Sequence, residues 1–373
     1  MPASSRRVRR LALGALALLA APSLWAQIVI GQTADFSGPV SSPVKELTAG
    51  AKLYLDSVNA AGGVHGQKIE LISMDDKFDP ATAAQNAKTL LEKNVTALFL
   101  TRGTPHAQAV MPLLAEHKAP LVAPSTGAMV LHEPVNRYIF NVRATYQREA
   151  ERTIRHLSLI GVERIAVLHV DDSFGADAVQ GAQRGFTGVE KKPVLLDKFD
   201  RAKPDFAPLV QAVVKADAQA VLVVGTAMAV TSATKALREA GSRAQVVTLS
   251  NNAAGGFIKL MGEHARGTIV SQIFPYERSL AAPIVKEASD LARAHGSADV
   301  SPSMLEGFAS AKVLVEGLRR AGPAPTRAKL LAALEGMRKF DLGGLEVTYG
   351  PTDHTGLDYA DLSIIGPDGK FRR

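Results

Sequence analysis

Arg164-Ile165-Ala166-Val167-Leu168-His169-Val170 runs straight into Asp171-Asp172-Ser173-Phe174-Gly175 and then into the amphipathic stretch Ala176 to Phe186. The first segment is a short apolar run rich in branched residues and reads as a buried strand. The second is a polar turn, and the third has helical spacing. A strand that feeds a helix through a short polar loop is the repeating unit of a parallel sheet.

The same alternation continues on both sides. Downstream lie an apolar segment near Pro193 to Lys198, a helix from Phe206 to Ala216, a strand from Ala220 to Val224, a helix from Val230 to Ala240 and a strand from Gln245 to Ser250. A helix from Gln147 to Ile160 precedes the quoted stretch.

An earlier set has the same order. It comprises a strand from Ile28 to Gly31, a helix from about Val44 to Ala60, a strand from Ile69 to Met74, a helix running to about Lys93, a strand from Val95 to Leu100, a helix from about His106 to His117 and a strand from Leu121 to Ala123. Asp79-Pro80 opens the second of these helices, with Asp79 as cap and Pro80 where a missing N–H costs nothing. The chain is therefore α/β, with two open, Rossmann-like units in tandem.

The last hundred residues offer helices at about 280 to 295, Leu305 to Ala321 and Arg327 to Met337, then a hairpin-like stretch from Gly344 to Phe371. They are too few for a third domain and are expected to complete the first two. Crossings between lobes are expected near Val142-Arg143, Ile273-Phe274-Pro275 and Thr348-Tyr349-Gly350. That assigns 27–142 plus 275–348 to the N-terminal lobe and 143–274 plus 349–373 to the C-terminal lobe.

The first 26 residues differ in kind. Arg6, Arg7, Arg9 and Arg10 precede an apolar run from Leu11 to Ala21 and then Pro22-Ser23-Leu24-Trp25-Ala26. A basic start, a short apolar core and a terminal small residue describe an export signal peptide, with cleavage expected between Ala26 and Gln27. The apolar run is shorter than the roughly 20 residues of an ordinary membrane span. The mature protein is thus expected in the periplasm. Formal net charge is +7, but the four signal arginines leave +3 on the mature chain, dispersed along it. That gives no footprint for nucleic acid. With no cysteine, thiol catalysis, disulfides, thiolate metal sites and a lipobox are all excluded, and a retained membrane anchor is the alternative to a cleaved signal.

Catalytic motifs are missing. The chain has no phosphate loop, no G-x-G-x-x-G after a strand, no H-E-x-x-H and no G-x-S-x-G. Gly62-Gly63-Val64-His65-Gly66 follows a helix and reads as a stop and turn. Asp75, Asp76 and Asp79 offer a hard-cation cluster on one reading and turn formers and caps on the other; the second is favoured. No metal and no cofactor are called for.

Six strand-end loops carry hydroxyls, amides and glycine: Ser37-Gly38, Arg102-Gly103-Thr104-Pro105-His106, Ser125-Thr126-Gly127-Ala128, Asp172-Ser173-Phe174-Gly175, Thr226-Ala227-Met228 and Ser250-Asn251-Asn252. In an open α/β sheet ligands bind beyond the carboxyl ends of the strands, and helix starts favour anions. Ser37, Thr104, His106, Ser125, Thr126, Gly127, Phe174, Thr226, Ser250 and Asn251 are therefore the candidate ligand-binding residues. Each alone also fits ordinary turn chemistry, and Thr104 also fits a simple helix cap.

Ile30-Gly31, Ser37-Gly38-Pro39, the run Val58-Asn59-Ala60-Ala61-Gly62-Gly63-Val64-His65-Gly66-Gln67-Lys68-Ile69 and Met74-Asp75-Asp76-Lys77-Phe78-Asp79-Pro80 together resemble the opening of a type I periplasmic binding protein. The similarity is to the leucine/isoleucine/valine-binding branch, the solute receptors of ABC transporters. It extends through Arg164-Ile165-Ala166-Val167, Asp171-Asp172-Ser173-Phe174-Gly175 and Leu305-Glu306-Gly307-Phe308.

The resemblance implies two lobes joined by three crossovers, a small molecule closed between them and a membrane permease as partner; a monomer is expected. By position it implies Thr104 for the ligand carboxylate with Ser125 and Gly127 in the first lobe. In the second it implies Phe174, Thr226 or Ala227, and Ser250.

Two departures from that pattern matter. Ser250-Asn251 stands where amino-acid binders place the acid that pairs with the ammonium, and Ala227 stands where an aromatic is expected. A buried ammonium without its partner costs several kcal/mol. A carboxylate, amide or other small polar metabolite is at least as good a ligand as an α-amino acid, and Arg102 or His106 is placed to meet an anion. Two rival readings share the fold: a periplasmic sensor reporting to a regulator or membrane receptor, and an exported enzyme. The enzyme would rest on His106 as its one candidate base.

Overall fold

The structure is a computed structural model that describes residues 27–296 and 299–373; the export signal lies outside the described residues. The first unit consists of β1 (Ile28–Ala34), α1 (Ser41–Ala60), β2 (Ile69–Asp75), α2 (Pro80–Glu92), β3 (Ala97–Phe99), α3 (Thr104–His117), β4 (Leu121–Val122) and β5 (Ile139–Phe140). The second holds α4 (Tyr146–Leu159), β6 (Ile165–Val170), α5 (Ser173–Thr187), β7 (Leu195–Phe199), α6 (Ala207–Lys215), β8 (Ala220–Val224), α7 (Ala227–Glu239), β9 (Gln245–Thr248), α8 (Gly255–Met261) and β10 (Ile269–Gln272). Then follow α9 (Pro283–Ala294), α10 (Pro302–Arg320), α11 (Arg327–Glu335), β11 (Phe340–Asp341), β12 (Glu346–Val347), β13 (Asp361–Ile365) and β14 (Phe371–Arg372).

The two sheets repeat one topology. The first has the order β2-β1-β3-β4-β5, all parallel. The second runs β7-β6-β8-β9-β10 in the same sense and adds β13 and β14, antiparallel, beyond β10. In each the chain order reverses beside the first strand of the unit, where a crevice opens at the carboxyl ends. Strands such as Ala220–Val224 are buried along their whole length because helices cover both faces.

Caps fall where the residue types demand. Asp79 accepts from the Thr82 N–H at 2.7 Å with Pro80 in the first turn. Asp172 accepts from the N–H groups of Phe174 and Gly175 and opens α5. Asp75 accepts from Phe36 N–H, Ser37 Oγ and Lys77 N–H. These aspartates therefore organise turns, and among the described residues no group of three or more acidic or histidine side chains could hold a metal.

The terminal segment differs from expectation. Gly344 to Phe371 is not one hairpin. The pair β11–β12 follows α11, whereas β13–β14 extends the second sheet. The chain also stays against the first core past Gly350, since Tyr349 Oη donates to the Asn141 carbonyl at 2.5 Å and Leu357 N–H to the Val142 carbonyl at 3.0 Å. It joins the second sheet at Asp361, downstream of the expected crossing near Thr348-Tyr349-Gly350.

Helices α1 and α10 make the closest helix pair in the first lobe. A Cβ at Gly50 would overlap the Met304 carbonyl, and one at Gly307 the Leu47 carbonyl, so two glycines set the approach. This packing brings Glu306, one residue before Gly307, to the junction of the lobes.

Candidate functional site

The carboxyl ends of the two sheets face each other across a small cavity. Its wall combines Arg102, Gly103 and Thr104 after β3, Ser125 after β4, Phe78 after β2 and Val40 from the first lobe. Phe174, Arg201, Thr226, Asn251 and Tyr146 come from the second. Thr104, Ser125, Phe174, Thr226 and Asn251 are thus brought together as the strand-end rule expected.

The other candidates lie around this wall. Thr126 Oγ1 shares a hydrogen bond of 2.7 Å with Thr104 Oγ1, which fixes the Thr104 hydroxyl. Thr104 is the first residue of α3 and does not cap it; Gly103 holds the cap position. Gly127 lies where a Cβ would meet the Ala144 carbonyl at 2.6 Å, so its part is to let two chain segments pass closely. His106 is buried behind the wall, stacked on Phe78 with ring centroids 4.6 Å apart, and burial pulls its imidazole down to about 4. A neutral ring there supports Phe78 and offers no cation. Ser37 is exposed, bonded to Asp75 and outside the cavity lining.

Ser250 has a different occupation from the one expected. Its N–H donates to Glu149 Oε2 at 2.9 Å, and its Oγ accepts from Arg143 at 2.7 Å. Arg143 is 1 % exposed and reaches Glu149 at 2.5 Å and Glu306 at 3.6 Å, with its guanidinium over the Tyr146 ring. Burial by itself would lower the Arg143 pKa, but Tyr146, Glu306 and Glu149 outweigh it and raise the value. Ser271 Oγ also donates to Glu149 Oε2. This buried network sits where the chain first crosses between the sheets.

Arg102 is the charged group of the cavity itself. It is 5 % exposed and donates to Ser125 Oγ at 3.0 Å and to the Asn251 carbonyl at 2.7 Å. Burial pulls its pKa down, and Glu306 only partly offsets this. Ser125 in turn donates to Glu306 Oε1 at 2.8 Å. Arg201 is already matched: it pairs with Asp172 and lies over the Phe78 ring at 5.2 Å.

Further contacts bind the two lobes in this closed arrangement. Glu46 of α1 accepts from the Gly255 and Gly256 N–H groups at the start of α8, at 3.1 and 2.9 Å. Ser173 Oγ donates to Gln108 Oε1 at 2.7 Å. A roomier groove of about 740 Å³ opens at the other end of the first sheet, around α11. Its Arg327 is spent on the carbonyls of Leu91, Val95 and His117, where it ties helix ends together.

A paired set of sheets with a closed polar cavity at facing strand ends is the geometry of a receptor that shuts on a small molecule. The family model described as periplasmic binding protein matches residues 27–363. The chain belongs to the periplasmic binding protein family. Leu/Ile/Val-binding protein homolog 3 of Brucella melitensis is 23% identical over 358 residues, 94% of each chain. Among solved structures, a substrate-binding periplasmic protein from Ralstonia solanacearum is 32% identical, with a TM-score of 0.84 over 92% of this chain and 99% of that one. A possible leucine/isoleucine/valine-binding protein from Rhodopirellula baltica is 25% identical, with a TM-score of 0.88 over 95% and 98%. These relatives are binding proteins, and this periplasmic binding protein is a substrate-binding receptor and not an enzyme. Among its described residues no helix is long and apolar enough to cross a membrane.

Phe78, Arg201 and Tyr146 were not anticipated as cavity residues. The signal for the first two was available, because they follow the strands β2 and β7 and the strand-end rule applies to these loops as well. Tyr146 follows the first crossing and carries no such mark.

Proposed function

We propose that this periplasmic binding protein captures a small carboxylate between its lobes and delivers it, as a monomer, to the permease of an ABC importer. The export signal expected over residues 1–26 supports a periplasmic location. Its lobes comprise 27–142 with the segment from 275, and 143–274 with the terminal strands; the last crossing falls between Leu357 and Asp361.

The carrying observation is Arg102. A guanidinium has five N–H donors, and Arg102 uses two of them, both on neutral oxygens. Its remaining N–H donors are open to a guest, and charge-assisted bonds to an anion are stronger than bonds to neutral oxygens, so the guanidinium favours an anionic guest even though buried Glu306 acts on it through Ser125. Thr104, Ser125, Thr226 and Asn251 supply further polar contacts, and Phe78, Phe174 and Tyr146 cover the apolar part of the ligand. Among the described residues no carboxylate side chain lines the cavity, and Ser250 is engaged by Arg143 and Glu149, so nothing there pairs with an ammonium charge.

A thermal-shift screen of carboxylates against their matched amides and α-amino acids tests this. A ligand at 100 times its dissociation constant adds about 2.7 kcal/mol of stability. Carboxylates are expected to give the larger shifts. Equal shifts from the amides would overturn the reading.

A further inference from the structure

Glu306 stood out in Leu305-Glu306-Gly307-Phe308, yet it does not line the cavity. It is 4 % exposed, and its Oε1 receives the Ser125 hydroxyl hydrogen at 2.8 Å. Ser125 Oγ simultaneously accepts from Arg102 at 3.0 Å. Arg102, Ser125 and Glu306 thus form one line from the cavity wall to the interior, continued by Arg143 at 3.6 Å and, through it, by Glu149.

Two features of this line bear on ligand binding. Ser125 has a single hydroxyl hydrogen, which goes to Glu306 or to a guest carboxylate but never to both. Within this line two buried guanidiniums, Arg102 and Arg143, stand against two carboxylates, Glu149 and Glu306, and buried Asp35 also acts on Arg102. Glu149 is held by Arg143, Ser250 and Ser271, whereas Glu306 stands between the two guanidiniums, 3.6 Å from Arg143 and joined to Arg102 through Ser125, and its charge acts on both.

We propose that Glu306 is an internal competitor for the ligand carboxylate, holding the Ser125 hydrogen and the charge of Arg102 until a guest takes both over. It is a positioning residue that lowers affinity for carboxylates while keeping the empty cavity stable. This rests on the carboxylate reading above. Binding that frees Glu306 leaves its carboxylate to Arg143, so occupancy of the cavity is felt at the first crossing between the lobes.

The test uses acetate, a minimal carboxylate, with acetamide as its neutral counterpart, on the mature protein, Glu306→Gln, Arg102→Met and the double variant. Glu306→Gln alone is expected to melt lower than the parent without ligand, because it leaves an uncompensated buried positive charge. Acetate should bind it roughly tenfold more tightly than the parent, within the usual range of site coupling, and acetamide should bind both alike. The double variant, whose charges balance again, should lose less stability than the two single changes combined and should not respond to acetate.

A purely structural Glu306 would lower the melting temperature without changing the preference for acetate over acetamide, and that result overturns the proposal. Additive stability losses in the double variant overturn it even if acetate moves neither melting curve. Undiminished acetate binding by Arg102→Met would instead remove the carboxylate reading itself.

Discussion

Arg102 donates to the main-chain carbonyl of Asn251 at 2.7 Å, a bond that leaves the first sheet's lobe and ends on the second's. The same guanidinium lines the cavity. On the proposed reading the same side chain meets the guest and ties the lobes together, so ligand binding and closure are expected to be coupled.

Arg102→Met is expected to weaken binding of the best carboxylate by about thirtyfold or more, since truncating one partner of a buried charge pair costs about 2–5 kcal/mol. Arg201→Met should cost far less, because Arg201 is already matched by Asp172. Calorimetric titration of the two variants checks the order; equal losses would show that both guanidiniums hold the ligand.

Glu46 is the second tie between lobes, with its carboxylate on the Gly255 and Gly256 N–H groups. Hydrogen bonds to a charged group contribute about 1.5–3 kcal/mol. Glu46→Gln should therefore raise the dissociation constant by roughly tenfold, through faster release, without touching the cavity. Stopped-flow dissociation measures this. An unchanged release rate would mean that the contact is incidental to closure.

Asp76 gives the chain a pH signature. Burial pushes its carboxyl up to about 6 from 3.8, with Asp35 and Asp75 adding to the rise and hydrogen bonds from Phe78 N–H and Thr33 opposing it. The folded state then holds this proton more tightly than the unfolded chain, so this contribution to stability is present below about pH 4 and is lost as pH rises through 6. Relative to the parent, Asp76→Asn should gain about 2 kcal/mol on going from pH 4 to pH 7, read from urea melts at each pH. A constant difference would show that Asp76 titrates normally.

Gly307→Ala should destabilise the first lobe by about 2 kcal/mol, as overpacking does, because the added methyl meets the Leu47 carbonyl of α1. A lower denaturation midpoint with an unchanged slope is the expected result. An unaltered midpoint would mean that α1 and α10 separate without cost.

How far the chain could be read in advance depended on the range of the interactions involved. Ala220–Val224 and the cap at Asp79-Pro80 are local patterns and were legible. The loops that follow strands gave Thr104, Ser125, Phe174, Thr226 and Asn251, because sheet polarity alone decides which ends face the cleft.

Ser250 looked like a ligand contact and is instead held by Glu149 and Arg143, 101 and 107 residues away along the chain. No local pattern encodes such a pairing. The strands β5 and β10 and the helix α8 were not anticipated. They span two, four and seven residues, too few for a period to emerge. The path of the chain between Val347 and Asp361 was hidden for a related reason: Tyr349 is held by the carbonyl of Asn141, 208 residues away.

The most direct measurement compares one carbon skeleton in three forms by calorimetry on the mature protein: an α-amino acid, its deaminated acid and the corresponding amide, over several skeleton sizes. With N–H donors of Arg102 open to a guest and, among the described residues, no acid in the wall, the deaminated acid should bind at least tenfold more tightly than the other two, since each 1.4 kcal/mol is a factor of ten. Tightest binding by the α-amino acid would contradict the account, because it would require an ammonium partner that the cavity wall does not contain.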